Sequence, residues 1–244
     1  MNWHPALVVF FYGLVTALAT GLGAVPFAFL KRISPATLAS ANAIAAGLML
    51  GASFGLVAEG TNYGAWQTIV GAALGVVFII ASQRLLGEHE VSFGEIRGTD
   101  ARQMVLIVLV MTAHSFAEGV AVGVAFGGGE TLAIVITAAI AVHNIPEGLA
   151  ISAVLRPRGT SVWGCAGWSI FSSLPQPLMA VPAFLFVEAF RPALPYGIGF
   201  AAGAMVFMVL VELLPEAYER ARRRAVAMQV TVTLIAMVLF QQFL

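Results

Sequence analysis

Long stretches without a charged side chain dominate the sequence. Six of them, each at least 20 residues long and mostly apolar, are residues 1–30, 33–58, 60–83, 159–187, 192–211 and 225–244. Two more, residues 103–129 and 131–155, each contain a single acid, Glu118 or Glu147. A helix of about 20 residues crosses the ~30 Å hydrocarbon core of a bilayer. The pattern therefore predicts an all-α membrane protein with eight transmembrane helices.

The polar segments between these stretches are short, so the chain is predicted to form one transmembrane domain, residues 1–244. The longest polar segment is residues 87–102, and no Pro/Ser-rich linker divides the chain. The predicted spans are residues 5–30, 36–58, 63–84, 103–127, 131–155, 160–187, 194–214 and 225–244.

The basic residues predict the orientation of these spans. Every Lys and Arg except Arg191 falls in the loops around residues 31–32, 84–102, 156–158 and 216–224, which eight spans place on one side of the membrane. Cytoplasmic loops carry an excess of Lys and Arg. We therefore expect these loops in the cytoplasm and both termini outside.

The composition narrows the classes of partner and ligand. Hydrophobic residues make up 60% of the chain and charged residues 10%, which excludes an ordinary soluble domain. The net charge is zero, so there is no basic field to bind nucleic acid. With one cysteine, Cys165, a cluster of thiolates within one chain is also excluded. Histidines and carboxylates remain as metal ligands.

A short motif occurs twice, on the predicted fourth and fifth spans. His114-Ser-Phe-Ala-Glu118-Gly is followed 29 residues later by His143-Asn-Ile-Pro-Glu147-Gly. In each copy His and Glu are four residues apart, which places both side chains on one helix face. At 1.5 Å per residue both histidines lie roughly 17 to 18 Å from the end of their span. Two antiparallel helices would thus bring all four side chains together near the membrane midplane.

A divalent cation explains these four groups better than helix pairing alone. An ionisable group at the bilayer centre costs ~2.5 kcal/mol or more, and two adjacent carboxylates repel each other. A metal ion offsets that charge and accepts lone pairs from neutral imidazoles. Two histidines and two glutamates suit Zn²⁺ and also accept Fe²⁺ or Mn²⁺. Histidine–glutamate pairs that only tie the helices together are the alternative. Pro146 favours a functional site, because it removes a hydrogen bond from the helix beside the ligands.

These motifs, HSFAEG and HNIPEG, together with eight spans and outer termini, resemble the ZIP (Zrt/Irt-like protein) family of divalent metal transporters over the whole chain. The resemblance implies a 3+2+3 bundle with an inverted repeat. It also implies that His114, Glu118, His143 and Glu147 bind the transported ion, which moves toward the cytoplasm by alternating access.

No separate cofactor is expected, because the metal is the substrate. The expected partners are divalent metal ions and the lipid bilayer; a homodimer is left open. The plasma (inner) membrane is favoured, with an organellar membrane as the alternative.

The sequence departs from the family at a second metal position. Many members build it from Asn or Asp after the motif histidine and from a Glu before a proline in the sixth span. The matching residues here are Ser115, Asn144 and Gln176, which we treat as candidates for a secondary metal site or a gate. Because the anionic ligand is replaced by a neutral amide, a second cation would bring uncompensated charge into the membrane. The sequence therefore predicts one bound ion.

Two alternatives stay open at this point. One is a membrane-embedded metal-dependent hydrolase. The chain lacks the HExxH motif that is typical of zinc hydrolases. We therefore expect that the protein is not an enzyme and keep the hydrolase as the alternative. The other concerns Glu212 and Glu216, at the cytoplasmic end of the seventh span. We interpret them as a solvated helix end, with a role on the ion's exit path as the alternative.

Overall fold

The structure is a computed structural model that describes residues 4–30, 33–86 and 101–242. These residues form helices and connecting turns, with no strand among them. Three of the basic residues used above to predict orientation, Lys31, Arg32 and Arg97, lie outside the described residues.

The described residues form ten α-helices. In chain order they are α1 (Pro5–Leu22), α2 (Pro26–Phe29), α3 (Pro35–Leu86), α4 (Ala101–Gly128), α5 (Glu130–Leu155), α6 (Val162–Ser173), α7 (Pro175–Ala189), α8 (Leu194–Met208), α9 (Leu214–Arg220) and α10 (Arg223–Gln242). A π-helical turn, Val209–Leu213, joins α8 to α9 without a break.

Six helical stretches in the described part of the chain are long and apolar enough to cross a membrane. They are Pro5–Phe29, Pro35–Arg84, Glu130–Leu155, Val162–Ala189, Arg191–Arg220 and Arg223–Gln242. This confirms a helical protein with several membrane-spanning segments.

The sequence predicts eight transmembrane spans, whereas the described residues contain six such helical stretches, and two features account for the difference. Pro35–Arg84 has 50 residues, or about 75 Å of straight helix, and its backbone leaves helical geometry at Gly64 (φ 165°, ψ 106°) between two predicted spans. α4 covers the predicted span 103–127, but the side chains of residues 101–110 lie outside the described part of the structure. The eight-span count and the outer termini therefore stay predictions.

Glycines set the closest helix contacts in one half of the bundle. Cβ atoms on Gly71 and Gly75 of α3 would overlap the backbone oxygens of Tyr196 and Phe200 of α8. Small residues allow this approach of backbones in membrane helices. Both contact positions advance by four residues in the same direction, so α8 runs parallel to the second half of α3. The first half of α3 packs along α10 through Gly47, Gly51 and Gly55, whose nearest neighbours are the side chains of Thr233, Met237 and Gln241.

The other half of the bundle holds both copies of the motif. Gly119 and Gly123 of α4 lie against the backbone oxygens of Gln176 and Ala180 in α7. Gly148 of α5 lies against the backbone of Thr20 in α1. Helices α1, α4, α5 and α7 thus meet where the motif side chains point inward.

A break in the predicted span 160–187 places one further side chain at this meeting point. Two consecutive helices, α6 and α7, share Leu174 as their boundary. Pro175 and Pro177 lack backbone N–H groups and are tolerated in the first turn of a helix but not in its interior. The new helix therefore starts at Pro175, and Gln176 lies in its first turn, fully buried.

Candidate metal centre

The motif residues lie on the facing sides of α4 and α5 and are almost completely buried. Exposed fractions are 3% for His114, 0% for Glu118, 1% for His143 and 7% for Glu147. The i, i+4 spacing explains why each helix presents its His and Glu in the same direction. Ionisable side chains are rarely buried to this degree unless they are paired or bind a metal.

Three of these four side chains converge on one point. One ligand atom each from Glu118, His143 and Glu147 lies within 4.8 Å of the other two. Glu118 Oε1 lies 3.1 Å from His143 Nδ1, and Glu147 Oε1 lies 3.8 Å from His143 Nε2. Two carboxylates and one imidazole at these separations form a donor set suited to a transition-metal ion.

Outside their contacts with one another, the converging atoms lack hydrogen-bond partners. Glu118 Oε1, both ring nitrogens of His143 and Glu147 Oε1 are buried, and none makes a hydrogen bond to a described residue beyond this cluster. A buried polar atom without a partner costs about 1 to 3 kcal/mol, and more when it is charged. Several such atoms around one point are best explained by an ion that binds them together.

His114 is not part of this group of three. Its Nε2 atom lies 2.8 Å from Glu212 Oε2, and Glu212 Oε1 accepts a hydrogen bond of 2.7 Å from Gln83 Nε2. The structure thus brings together three of the four predicted ligands and pairs the fourth with a carboxylate of the π-helical turn. The side chains of Glu212 and Glu216 are only 20% and 12% exposed, so the expectation of a solvated helix end is wrong for both residues.

The three secondary candidates are fully buried, and one of them, Gln176, contacts Glu118 directly. Asn144 Nδ2 donates hydrogen bonds to the Thr16 carbonyl oxygen (2.8 Å) and to Gln176 Oε1 (3.0 Å). Gln176 Nε2 donates to Glu118 Oε2 at 2.6 Å. Ser115 Oγ has no hydrogen-bond partner among the described residues. An uncharged hydrogen-bond network therefore occupies the side of Glu118 where the family's second metal position would lie.

A small cavity borders both the cluster and α9. Its lining residues are Asn42, Ala45, Met111, His143, Pro146, Glu147, Ala150, Glu212, Leu213 and Glu216. Among these residues, Glu216 accepts a hydrogen bond of 3.0 Å from Asn42 and lies 3.3 Å from Arg220. Three carboxylates, those of Glu147, Glu212 and Glu216, therefore line the cavity.

The fold and the buried cluster define a class: a multi-pass helical membrane protein with a buried carboxylate–histidine cluster whose donor atoms suit a metal ion. The family model described as "ZIP Zinc transporter" matches residues 81–240. The chain belongs to this zinc transporter family, whose members are transporters and not enzymes.

Individual relatives agree with this assignment. The chain is 47% identical over 240 residues to a plant protein, the "Putative zinc transporter" of Arabidopsis thaliana, covering 95% of this chain and 39% of that protein. It is 31% identical over 224 residues to the zinc transporter GufA of Myxococcus xanthus, covering 84% and 88%. Identity to the human zinc transporter ZIP11 is 39% over 133 residues, covering 49% and 37%. The chain thus spans less than half of the length of the plant and human proteins.

Proposed function

We propose that the protein transports divalent transition-metal ions across a membrane toward the cytoplasm. The observation that carries this proposal is the convergence of Glu118, His143 and Glu147. Their buried ligand atoms lie within 4.8 Å of one another, and four buried atoms of the cluster have no hydrogen-bond partner outside it among the described residues. Zn²⁺ is favoured, because imidazole and carboxylate in a four-coordinate site suit it best. Fe²⁺ and Mn²⁺ are alternatives with the same ligand types.

The proposed site is completed by His114. In the structure this histidine pairs with Glu212, so it must exchange that carboxylate for the ion when the site is loaded. The exchange would give an ion held by His114, Glu118, His143 and Glu147. It would also release Glu212, which lines the cavity below the site.

The cavity supports transport toward the cytoplasm. Its lining includes both Glu147 and Glu216, and Arg220, which lies 3.3 Å from Glu216, belongs to the basic residues that predict the cytoplasmic side. At the other end of α4 two hydrogen bonds hold the helix terminus. Arg191 donates to the Gly127 carbonyl at 2.7 Å and Tyr63 to the Gly128 carbonyl at 3.2 Å. We interpret this arrangement as open inward and closed outward.

Two groups of helices would then move relative to each other. The first, α1 and α4 to α7, contains the cluster; the second, α3 and α8 to α10, packs through its own glycines.

The contacts support the inverted repeat and the count of eight spans. An inverted repeat pairs each helix contact with an equivalent one. The contact between α1 and α5 is equivalent to the contact between α7 and α4. The contact between α10 and the first half of α3 is equivalent to the contact between α8 and the second half of α3. The plasma (inner) membrane is favoured as the location, and a homodimer is left open.

A single ion is expected in the loaded site. Gln176 supplies no negative charge where the family's second ion would need a carboxylate, so a second cation would be buried without compensation. We expect equilibrium dialysis of the purified protein to give one Zn²⁺ per chain, and Gln176→Glu to raise this to two. Two ions per wild-type chain would contradict the expectation.

Transport is tested with the purified protein in liposomes. We expect uptake of radiolabelled Zn²⁺ to exceed that of protein-free liposomes at least about tenfold, with Fe²⁺ and Mn²⁺ measured in parallel to rank the ions. The competing function, a metal-dependent hydrolase in the membrane, requires an open metal position for water and a general base. Lipid or peptide hydrolysis without metal uptake would favour the hydrolase and contradict transport.

A further inference from the structure

Gln176 lies where an amide can act on the proposed ion without binding it. The side chain is fully buried in the first turn of α7. One end of its amide contacts Glu118 on α4, and the other end contacts Asn144 on α5. It therefore connects the two helices that carry the proposed ligands.

The orientation of this amide follows from a backbone carbonyl. The Thr16 carbonyl oxygen can only accept, so Asn144 must turn its NH₂ group toward it. The second N–H of the same group then donates to Gln176, whose oxygen must face Asn144. This leaves the Gln176 NH₂ group facing Glu118 Oε2 at 2.6 Å. The chain of hydrogen bonds thus runs in one direction from α1 to the Glu118 carboxylate.

The hydrogen bond from Gln176 gives the two Glu118 oxygens different partners. Oε2 accepts from Gln176, while Oε1 faces His143 Nδ1 at 3.1 Å. A hydrogen bond to a charged carboxylate is about twice as strong as one between neutral groups. It therefore favours a Glu118 that binds an ion through Oε1 alone.

We propose that Gln176, fixed by Asn144, is a positioning residue that restricts Glu118 to one-oxygen binding and thereby favours Zn²⁺ over Mn²⁺. The proposal rests on the transport function above and specifies how that same site selects its ion. Zn²⁺ is satisfied by four ligands, whereas Mn²⁺ prefers six oxygen-rich ligands. A Glu118 with both oxygens available would give the larger ion the additional ligand that Gln176 now withholds.

The test compares metal binding by variants of the full chain in detergent micelles. Gln176→Met removes the amide at nearly the same volume, and we expect the preference for Zn²⁺ over Mn²⁺, measured as the ratio of their Kd values, to fall about tenfold. The visible spectrum of bound Co²⁺ should shift from a four-coordinate form toward a form with more ligands. Gln229→Met is the matched control, because Gln229 donates a similar bond to Ser40 (3.1 Å) far from the cluster; both readouts should stay at the wild-type value.

A double-mutant cycle tests the role of Asn144. If Asn144 acts through Gln176, Asn144→Leu lowers the same ratio, and the double variant with Gln176→Met lowers it no further than Gln176→Met alone. Gln176→Asn keeps an amide on a side chain that is shorter by one methylene and should lower the ratio in the same way. It replaces Gln176→Met in the test if the methionine variant does not fold. An unchanged ratio and Co²⁺ spectrum in a folded Gln176 variant, or fully additive effects, would overturn the proposal. If the wild-type protein itself does not bind Zn²⁺, the proposed metal site is refuted instead.

Discussion

Replacing Glu147 with alanine is expected to reduce Zn²⁺ uptake into proteoliposomes, and the affinity for Zn²⁺, at least about a hundredfold. Glu147 Oε1 is buried and has no hydrogen-bond partner in the described structure, so its negative charge is available to the ion. Its removal leaves Glu118 as the only carboxylate in the cluster of three. Breaking a buried charge pair costs about 3 to 5 kcal/mol, which corresponds to a hundredfold or more in affinity.

Two further variants show whether the charge itself is responsible. Glu147→Gln keeps the shape of the side chain and should lose nearly as much uptake as the alanine variant. Glu130→Ala removes an exposed acid from the first turn of the same helix and should keep at least about half of the wild-type rate. Wild-type uptake by a folded Glu147→Ala protein would show that the ion does not pass through the proposed site.

Much of this site was predictable because helix geometry fixes which side chains share a face. The four-residue spacing of His143 and Glu147 places both on one face of α5, and the repeat on the adjacent span indicates that Glu118 belongs to the same site. The structure brings these three side chains together. Their burial also follows from the sequence, since each lies in the middle of a long apolar stretch.

The pairing of His114 with Glu212 could not be predicted in the same way. Glu212 lies in a π-helical turn, which adds a residue to the turn and rotates the following side chains relative to a regular helix. No residue pattern in the seventh span indicates that turn. A histidine four residues from its glutamate can also reach outward to a neighbouring helix, and helical spacing alone does not decide between these directions.

The orientation of Gln176 was equally beyond the sequence. The prolines on either side of it indicate a helix break, and the structure has that break at Leu174. Whether the amide offers its oxygen or its nitrogen to Glu118 depends on Asn144 and on a backbone carbonyl of α1, which is 128 residues away from Asn144 in the chain. Such a relation is set by the packing of four helices, α1, α4, α5 and α7.

Adding a single methyl group at Gly148 is expected to lower the thermal stability of the protein and to reduce Zn²⁺ uptake at least about tenfold. The Cβ atom of an alanine there would overlap the carbonyl oxygen of Thr20 in α1, a backbone atom that can move only with its helix. Overpacking of this kind typically costs about 1 to 3 kcal/mol. Because Gly148 follows Glu147 directly, the separation of α1 and α5 would also displace a proposed ligand.

Gly167→Ala is the matched control for this change. Gly167 also lies in a helix, α6, but no described atom lies within 4 Å of a Cβ placed on it. Alanine stabilises a helix interior relative to glycine by about 1 kcal/mol, so this variant should melt at or above the wild-type temperature and transport normally. The two substitutions are chemically identical, and a difference in melting temperature between them therefore measures the contact between α1 and α5. Equal melting temperatures and equal uptake would mean that α1 and α5 do not approach each other as closely as the structure has them.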